Sequence, residues 1–444
     1  MRLEKRMVHC SALTVMLLLL IVLTACSVQN QEAAQSVTTE ILTTSTATAP
    51  PQTATLAPTL AVTLTPPGPV TLVTWWPDTV APIDNTAANA ILTEQVESFE
   101  ATQENVIVQI RLKQENDLGG IMSTLRTASA VATGALPDLT LIRRDDLLDA
   151  AQAGLIYPLE GKVASAILGD LYDIALQLGQ IDGQLYGLPY LLDVQHVAYR
   201  PFDEDNALPS RFDDLLEQQH SFVFPAAEAN GMSSVFLTQY LAAGGTLPVD
   251  NVMTINESAL LATLRFYERA AAEGIVSDSV LSYTTPSEYL SDLLTGSIDI
   301  GLVTSKNYLD LTQAGENLAF GPIPTESGQI VDEANGWMWV LTTSSADRQA
   351  LAVRYLNWIM NAGRQGQYSR TVNLLPSQRT ALQEWGSSDY ISFANALLTN
   401  ATPPLSDSAG GIAARAMQSA LVSVLLGQNN AEQATQAVMS QVGG

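Results

Sequence analysis

The chain has 444 residues, and the part beyond residue 69, about 375 residues, is long for one hydrophobic core and suited to two lobes. It carries 45 Asp and Glu against 20 Lys and Arg, a formal net charge of −25, which argues against nucleic acid or an anionic lipid surface as a partner. The only cysteines, Cys10 and Cys26, lie near the start, so the rest of the chain offers no disulfide, no cysteine-liganded metal and no cysteine nucleophile.

Arg2, Lys5 and Arg6 precede an apolar run from Leu13 to Leu23, which ends in Thr24, Ala25 and Cys26. A positive start, an apolar stretch and small residues make an export signal over residues 1–25. The cysteine directly after Leu-Thr-Ala resembles a bacterial lipoprotein signal, in which cleavage before Cys26 leaves a lipidated thiol at the new N-terminus. The alternative is an uncleaved helix over residues 7–25, just long enough to cross a bilayer, although His9, Cys10 and Ser11 interrupt its apolar run. Removing residues 1–25 takes away three cations and one carboxylate, so the mature chain is more acidic still. Residues 26–69 are rich in Thr, Ala and Pro and contain no aromatic residue, which predicts a disordered tether. As a loose coil it would span roughly 35–40 Å. The expected location is extracytoplasmic, anchored by lipid to a membrane surface.

Beyond the tether, Val70–Trp76 reads as a buried strand and residues 86–101 as a helix with Leu92, Val96 and Phe99 on one face. Val106–Leu112 is a second strand, residues 117–133 a helix punctuated by Gly134 and Pro137, and Asp138–Ile142 a third strand. This strand–helix alternation predicts a parallel sheet covered by helices. Further along, Thr285-Pro286-Ser287-Glu288 has the pattern of a capping box with proline at the first helical position, and Gly296 stops that helix. Residues 298–303 read as a strand, and residues 346–361 as an amphipathic helix through Leu351, Tyr355 and Trp358.

A resemblance runs in order along nearly all of residues 70–442. TLVTWWPD, TGALPDLTLI, LLDAAQAGLIYPLEG, DGQLYGLPYLLDVQHVAYR (residues 182–200), DIGLVTSKNY and NGWMWVLTTSSADRQALAVRYLNWIM resemble successive motifs of the extracellular solute-binding proteins of ABC transporters, in the family that includes maltose-type receptors. Arg200 departs from the family's usual asparagine. The resemblance implies an α/β, two-lobed periplasmic-binding-protein-like fold of type II, with hinge crossings and a central ligand cleft. Carried onto this chain, residues 70–193 plus 342–388 form the N-lobe and residues 194–341 plus 389–444 the C-lobe. The crossings fall at Asp193–Tyr199, at Trp337–Leu341 and near residues 386–390.

Ligands of open α/β sheets bind beyond the carboxyl ends of strands, and this selects the candidates. Trp75, Trp76 and Asp78 follow the opening strand. One tryptophan is expected to face the sheet and the other the cleft, and Trp76 is the cleft candidate. Arg143, Arg144 and Asp145 follow the third strand; the bland reading is a solvated charge run. By resemblance, Asp193 in the crossing strand is a ligand-binding acid, and Tyr308, in the loop with Ser305 and Lys306, is a stacking ring. Ser233 and Ser234 precede a helix and suit either hydroxyl donation to a ligand or capping. Trp337 lies nearer the cleft than Trp339, for which core packing is the simpler role, and Tyr186 of the Tyr186/Tyr190 pair reads as structural. Aromatic faces stack on sugars, and carboxylates accept their hydroxyl hydrogen bonds.

Nothing in the sequence supplies a Gly-x-Ser-x-Gly elbow, a phosphate-binding Gly-rich loop or a His-Glu-x-x-His motif. His196 and His220 are too isolated for a metal site. Asp203-Glu204-Asp205-Asn206 lacks the mid-loop glycine and spaced ligands of a calcium loop. The expectation is therefore a monomeric binding protein without catalytic residues, cofactor or metal, handing a small molecule, chiefly a carbohydrate, to the membrane subunits of an ABC permease. A sensor feeding a signalling partner, or a receptor for a phosphorylated polyol, remain alternatives.

Overall fold

The computed structural model describes residues 68–442 except 82, 116–118, 202–207, 228–230, 247–253 and 405–406; side chains of residues 407–410 are also not described. The expectations for the export signal, for Cys26, for the tether up to residue 67 and for the acidic loop at 203–206 lie outside the described residues. Among the described residues no helix is long and apolar enough to cross a membrane.

In chain order the strands are β1 (Val70–Pro77), β2 (Val106–Lys113), β3 (Leu139–Arg143), β4 (Gln180–Ile181), β5 (Gln184–Leu185), β6 (Gly187–Tyr199), β7 (Phe222–Val223), β8 (Ile300–Thr304), β9 (Ala319–Gly321), β10 (Asp332–Leu341), β11 (Leu375–Pro376) and β12 (Ala401–Thr402). The main path runs β2-β1-β3-β10-β6-β8-β7, and β4 and β5 form a separate hairpin. β1 pairs in parallel with both β2 and β3. The opening β-α-β-α-β reading is thus realised, with helices Thr86–Ala101 and Ile121–Val131 as its connections. The second helix is shorter than residues 117–133 would give.

Two sheet regions share one long strand. The first part of β6 pairs antiparallel with β10 and β11. Its last five residues, Gln195–Tyr199, pair instead with Thr304–Ile300 of β8, and Val197–Tyr199 also pair with β9. The passage between regions therefore falls near Asp193–Gln195, at the start of the expected first crossing. The expected second crossing needs correction. Trp337–Leu341 pair with Arg143–Leu139 of β3 and are part of the first sheet, while Asp332 and Glu333 pair with β12. The passage of β10 thus lies just before Trp337. Gly336 is required there, because a Cβ would sit 2.3 Å from the Leu191 carbonyl oxygen.

Local signals explain several boundaries. Asn85 caps helix Thr86–Ala101 by accepting from the Ala88 amide. The Thr285–Glu288 capping box closes a single 3₁₀ turn, Pro286–Glu288, ahead of helix Leu290–Thr295. Gly296, at φ 79°, ends that helix in the left-handed conformation glycine tolerates. Asp138 of the Leu-Pro-Asp segment is buried and ties three elements together. It accepts from the Val73 amide of β1 (2.8 Å) and from Arg348 Nε (2.6 Å) of helix Ala346–Ile359. Such a charge-assisted, bidentate pair fixes geometry more firmly than a lone hydrogen bond.

Candidate functional site

β1, β2 and β3 run parallel, so their carboxyl ends emerge on one edge. Asp78 and Thr79, then Glu115, then Arg143 and Asp145 follow those three ends. β10 runs the opposite way, which brings its Trp337 directly opposite Arg143. A continuous polar chain results. Thr79 Oγ1 donates to Glu115 (3.0 Å), Glu115 pairs with Arg143 (3.6 Å), Arg143 reaches Asp145 (3.9 Å), and Asn335 Nδ2 donates to Asp145 (3.3 Å). The Arg143 guanidinium also lies over the Trp337 ring, 5.5 Å from its centroid. Asn335 stands opposite Asp193 in the β10–β6 ladder.

Asp193 extends the chain into the second region. Its carboxylate accepts from Ser305 Oγ (2.6 Å) and from the Lys306 amide (3.0 Å), at the positive N-terminus of helix Ser305–Gln313. Burial pushes its pKa up, while the bonds from Ser305 and Lys306 pull the other way. From the same helix, Lys306 Nζ donates to Asp310 (2.7 Å), and Asp310 also accepts from Asn373 Nδ2 (2.8 Å), which reaches Gln313 as well (2.6 Å).

Two cavities adjoin this chain. One, of about 580 Å³, is lined by Asp78–Ala81, Ile83–Asn85, the Lys306/Asp310/Gln313 side of the helix, and Thr371–Asn373. The other, of about 570 Å³, carries Tyr308, Trp385 and Tyr390 with Arg370 and Thr312. Gln313, Thr371 and Asn373 line both. Either is of the size that holds a small ligand.

The expected residues sort as follows. Asp78, Arg143, Asp145 and Asp193 belong to the polar chain or line the first cavity. Trp76 does not face open space, which corrects the expected split between the two tryptophans. It is 0% exposed and meets Trp339 (5.0 Å between centroids), Tyr368 (5.5 Å) and Tyr190 (6.2 Å) edge-on. Trp75 is buried as well, under the Lys113 ammonium. The reason is that β1 is flanked by strands on both edges and covered on both faces, so alternation along it selects between two buried faces. Trp337 is 5% exposed under Arg143, and Tyr308 is 6% exposed, stacked on Tyr390 at 4.5 Å with its hydroxyl donating to the Leu318 carbonyl (3.2 Å). Trp76, Tyr308 and Trp337 therefore sit in three different packing environments rather than around one opening. Ser234 begins helix Ser234–Ala242 and donates to Gln195 Oε1 (2.8 Å), while Ser233 donates to the Pro225 carbonyl. Arg144 binds the Leu178 and Gln180 carbonyls, a packing role, and burial lowers its pKa. Arg200, the departure from the family pattern, donates to the Leu294 carbonyl.

Glu115, Asn335, Asn373 and Asp310 were not singled out by sequence. Glu115, Asn335 and Asn373 act through partners far along the chain, and of these only Glu115, just past β2, lies where the strand-end rule would look. His196 is wholly buried between Tyr390 and the Val197 carbonyl, and burial drives its pKa down to about 4, so it is neutral at ordinary pH. Among the described residues no group of three or more His, Cys, Asp or Glu is arranged to hold a metal.

The sheet thus passes between two regions on a shared strand, with polar side chains gathered at the strand ends. The family model for bacterial extracellular solute-binding proteins matches residues 94–395, and the chain belongs to that family. Its members bind solutes outside the cytoplasm, which sets the compartment of this protein. Among solved structures, the cyclic alpha-maltosyl-1,6-maltose binding protein of Arthrobacter globiformis is similar at 16% identity, over 84% of this chain and 98% of that one, with a TM-score of 0.66. The maltose-binding periplasmic protein of Listeria monocytogenes is similar at 14% identity, over 84% and 96%, with a TM-score of 0.65. Maltose-bound MalE3 of T. maritima matches at 15%, over 84% and 99%, with a TM-score of 0.62. At these identities the likeness establishes the two-lobed fold.

Proposed function

We propose that this protein captures a neutral carbohydrate between its two lobes and delivers it to the membrane subunits of an ABC importer, held near the membrane by lipid on Cys26. The observation that carries the carbohydrate reading is the composition of the strand-end chain and the first cavity. Their polar groups are chiefly carboxylates, amides and hydroxyls, set in the cavity beside the apolar Val80, Ala81, Ile83 and Val372, and each lysine or arginine among them is already engaged: Arg143 by Glu115 and Asp145, Lys306 by Asp310. Those groups suit sugar hydroxyls, which both donate and accept. The sugars named for three structurally similar proteins agree with this chemistry.

On this reading the lobes close on the ligand about the passages of β6 and β10, since a ligand touching both lobes favours the closed form. A thermal-shift panel of maltose, maltotetraose, other sugars and glycerol phosphate tests the class. A ligand binding only the native state adds about 2.7 kcal/mol at a hundredfold excess over Kd. Stabilisation by glycerol phosphate alone would reject the carbohydrate reading. Small-angle scattering with the stabilising sugar should show compaction, and an unchanged radius at saturation would count against closure. Cys26→Ala should abolish processing and the membrane-bound form; normal processing of that variant would reject the lipid anchor.

A further inference from the structure

We infer that Glu115 is a specificity-determining residue that keeps the binding site closed to anions by occupying Arg143. The inference rests on the reading above, that the ligand sits at these strand ends.

Arg143, at the carboxyl end of β3, holds its guanidinium beside Glu115, which reaches back to the cavity-lining Thr79. Arg144, its neighbour, is spent on the Leu178 and Gln180 carbonyls. An arginine held over a tryptophan ring is a ready phosphate or sulfate site, since its planar fork matches such anions in two-point contact. Here two carboxylates reach it first, Glu115 at 3.6 Å and Asp145 at 3.9 Å. The two differ in quality. The Asp145 side chain is largely exposed, so its attraction is screened by water. That of Glu115 is only 16% exposed and is held from the other side by the Thr79 hydroxyl at 3.0 Å. Thr79 itself lines the first cavity, so the Thr79–Glu115–Arg143 relay sits at its wall. Asp146 lies close by, its pKa raised by burial and by the neighbouring Asp145, Asp149 and Glu115, which marks the surroundings of Arg143 as negative. An anion approaching Arg143 would have to displace Glu115 and face that field. A neutral hydroxyl can instead donate to Glu115 or accept from Arg143 while the pair stays intact. Exclusion of the wrong ligand by placed charge is the general means by which such sites gain selectivity.

Glu115→Gln tests this, because glutamine keeps the shape and can still accept from Thr79. Inorganic phosphate is the probe, titrated calorimetrically at low ionic strength into the full chain of wild type, Glu115→Gln and Glu115→Gln/Arg143→Ala. Wild type should give no measurable binding. Glu115→Gln should bind phosphate at least about tenfold more tightly, the return of one charge-assisted contact, and the gain should vanish in the double variant. A gain that survives Arg143→Ala, or no gain in a Glu115→Gln protein whose melting curve is that of wild type, would overturn the assignment. Should Glu115→Gln fail to fold, Thr79→Val serves, since it frees Glu115 from its second tether; phosphate binding unchanged from wild type in that protein too would reject the inference. These readouts need no sugar. Failure of the sugar panel would therefore reject the carbohydrate reading, while the phosphate series decides the role of Glu115 separately.

Discussion

Two aromatic clusters flank the strand shared by the two sheet regions, and they are built alike but placed differently. Trp76, Trp339, Tyr190 and Tyr368 form the first, every ring fully buried. Tyr308, Tyr390, Phe320, Phe393 and His196 form the second, packed just as closely, with Tyr308 stacked on Tyr390. Of the two, the second lines one of the cavities described above, through Tyr308 and Tyr390. Ring content alone therefore does not mark a binding face; the edge left uncovered does. The first cluster stabilises the sheet, and the second both packs the crossing strand and lines an opening.

The sharpest test of that division is Trp76→Ala. If the ring is core, its loss costs stability by about 3–5 kcal/mol, as for other large-to-alanine changes. Chemical denaturation measures this, and the part that stays folded should bind sugar as wild type does. A variant of near-normal stability that has lost binding would move Trp76 back to the ligand site.

A second test concerns the buried acids beside the second cluster. Asp332, the first residue of β10, is wholly buried. One carboxylate oxygen accepts from the Gln195 amide (3.1 Å). Burial raises its pKa well above the ordinary range, with the charges of Glu333 and Asp193 adding to the rise. The native state thus holds a proton that the unfolded chain releases at about pH 4. Stability must then fall as pH rises from that unfolded value through the folded one. Asp332→Asn cannot ionise, so its stability should fall less steeply over that window and exceed that of wild type at neutral pH, by an amount on the order of 1–3 kcal/mol. Asp193, raised in the same direction, remains in both proteins and leaves a residual slope. Identical slopes in the two proteins would show that Asp332 is not the source.

How much of this was legible in the sequence depends on the range of the contact. β1, helix Thr86–Ala101 and the stop at Gly296 follow from local pattern, because periodicity, an Asx cap and a left-handed glycine act within a few residues. The strand-end rule located Arg143 at the close of β3, and the family resemblance located Asp193 within the crossing strand β6. Strand alternation failed for Trp76, since both faces of β1 are covered. The β10 passage was placed too late along the strand, because residues 332–341 look like one continuous strand and only Gly336, pressed against Leu191, marks the change of neighbours. Glu115, Asn335 and Asn373 act through partners 28, 190 and 63 residues away, and no single-sequence pattern reports such pairings.

Tyr308 carries the smallest but most discriminating effect. Its ring and its hydroxyl have separate partners: Tyr390 for the stack, the Leu318 carbonyl for the hydrogen bond. Tyr308→Phe removes the bond alone, with an expected stability loss of about 1 kcal/mol, and leaves the stacked ring in place. Tyr308→Ala also removes the ring, and if a sugar rests in the second cavity its affinity should fall by roughly 1–3 kcal/mol, by analogy with other aromatic stacking. Calorimetric titration of the sugar found by thermal shift separates the two, provided each variant is shown to be folded. Wild-type affinity in Phe with reduced affinity in Ala places the ring face at the ligand. Equal affinity in both would mean that the second cluster, like the first, is packing, and that the ligand is held by the polar chain from Asp78 to Asp193 alone.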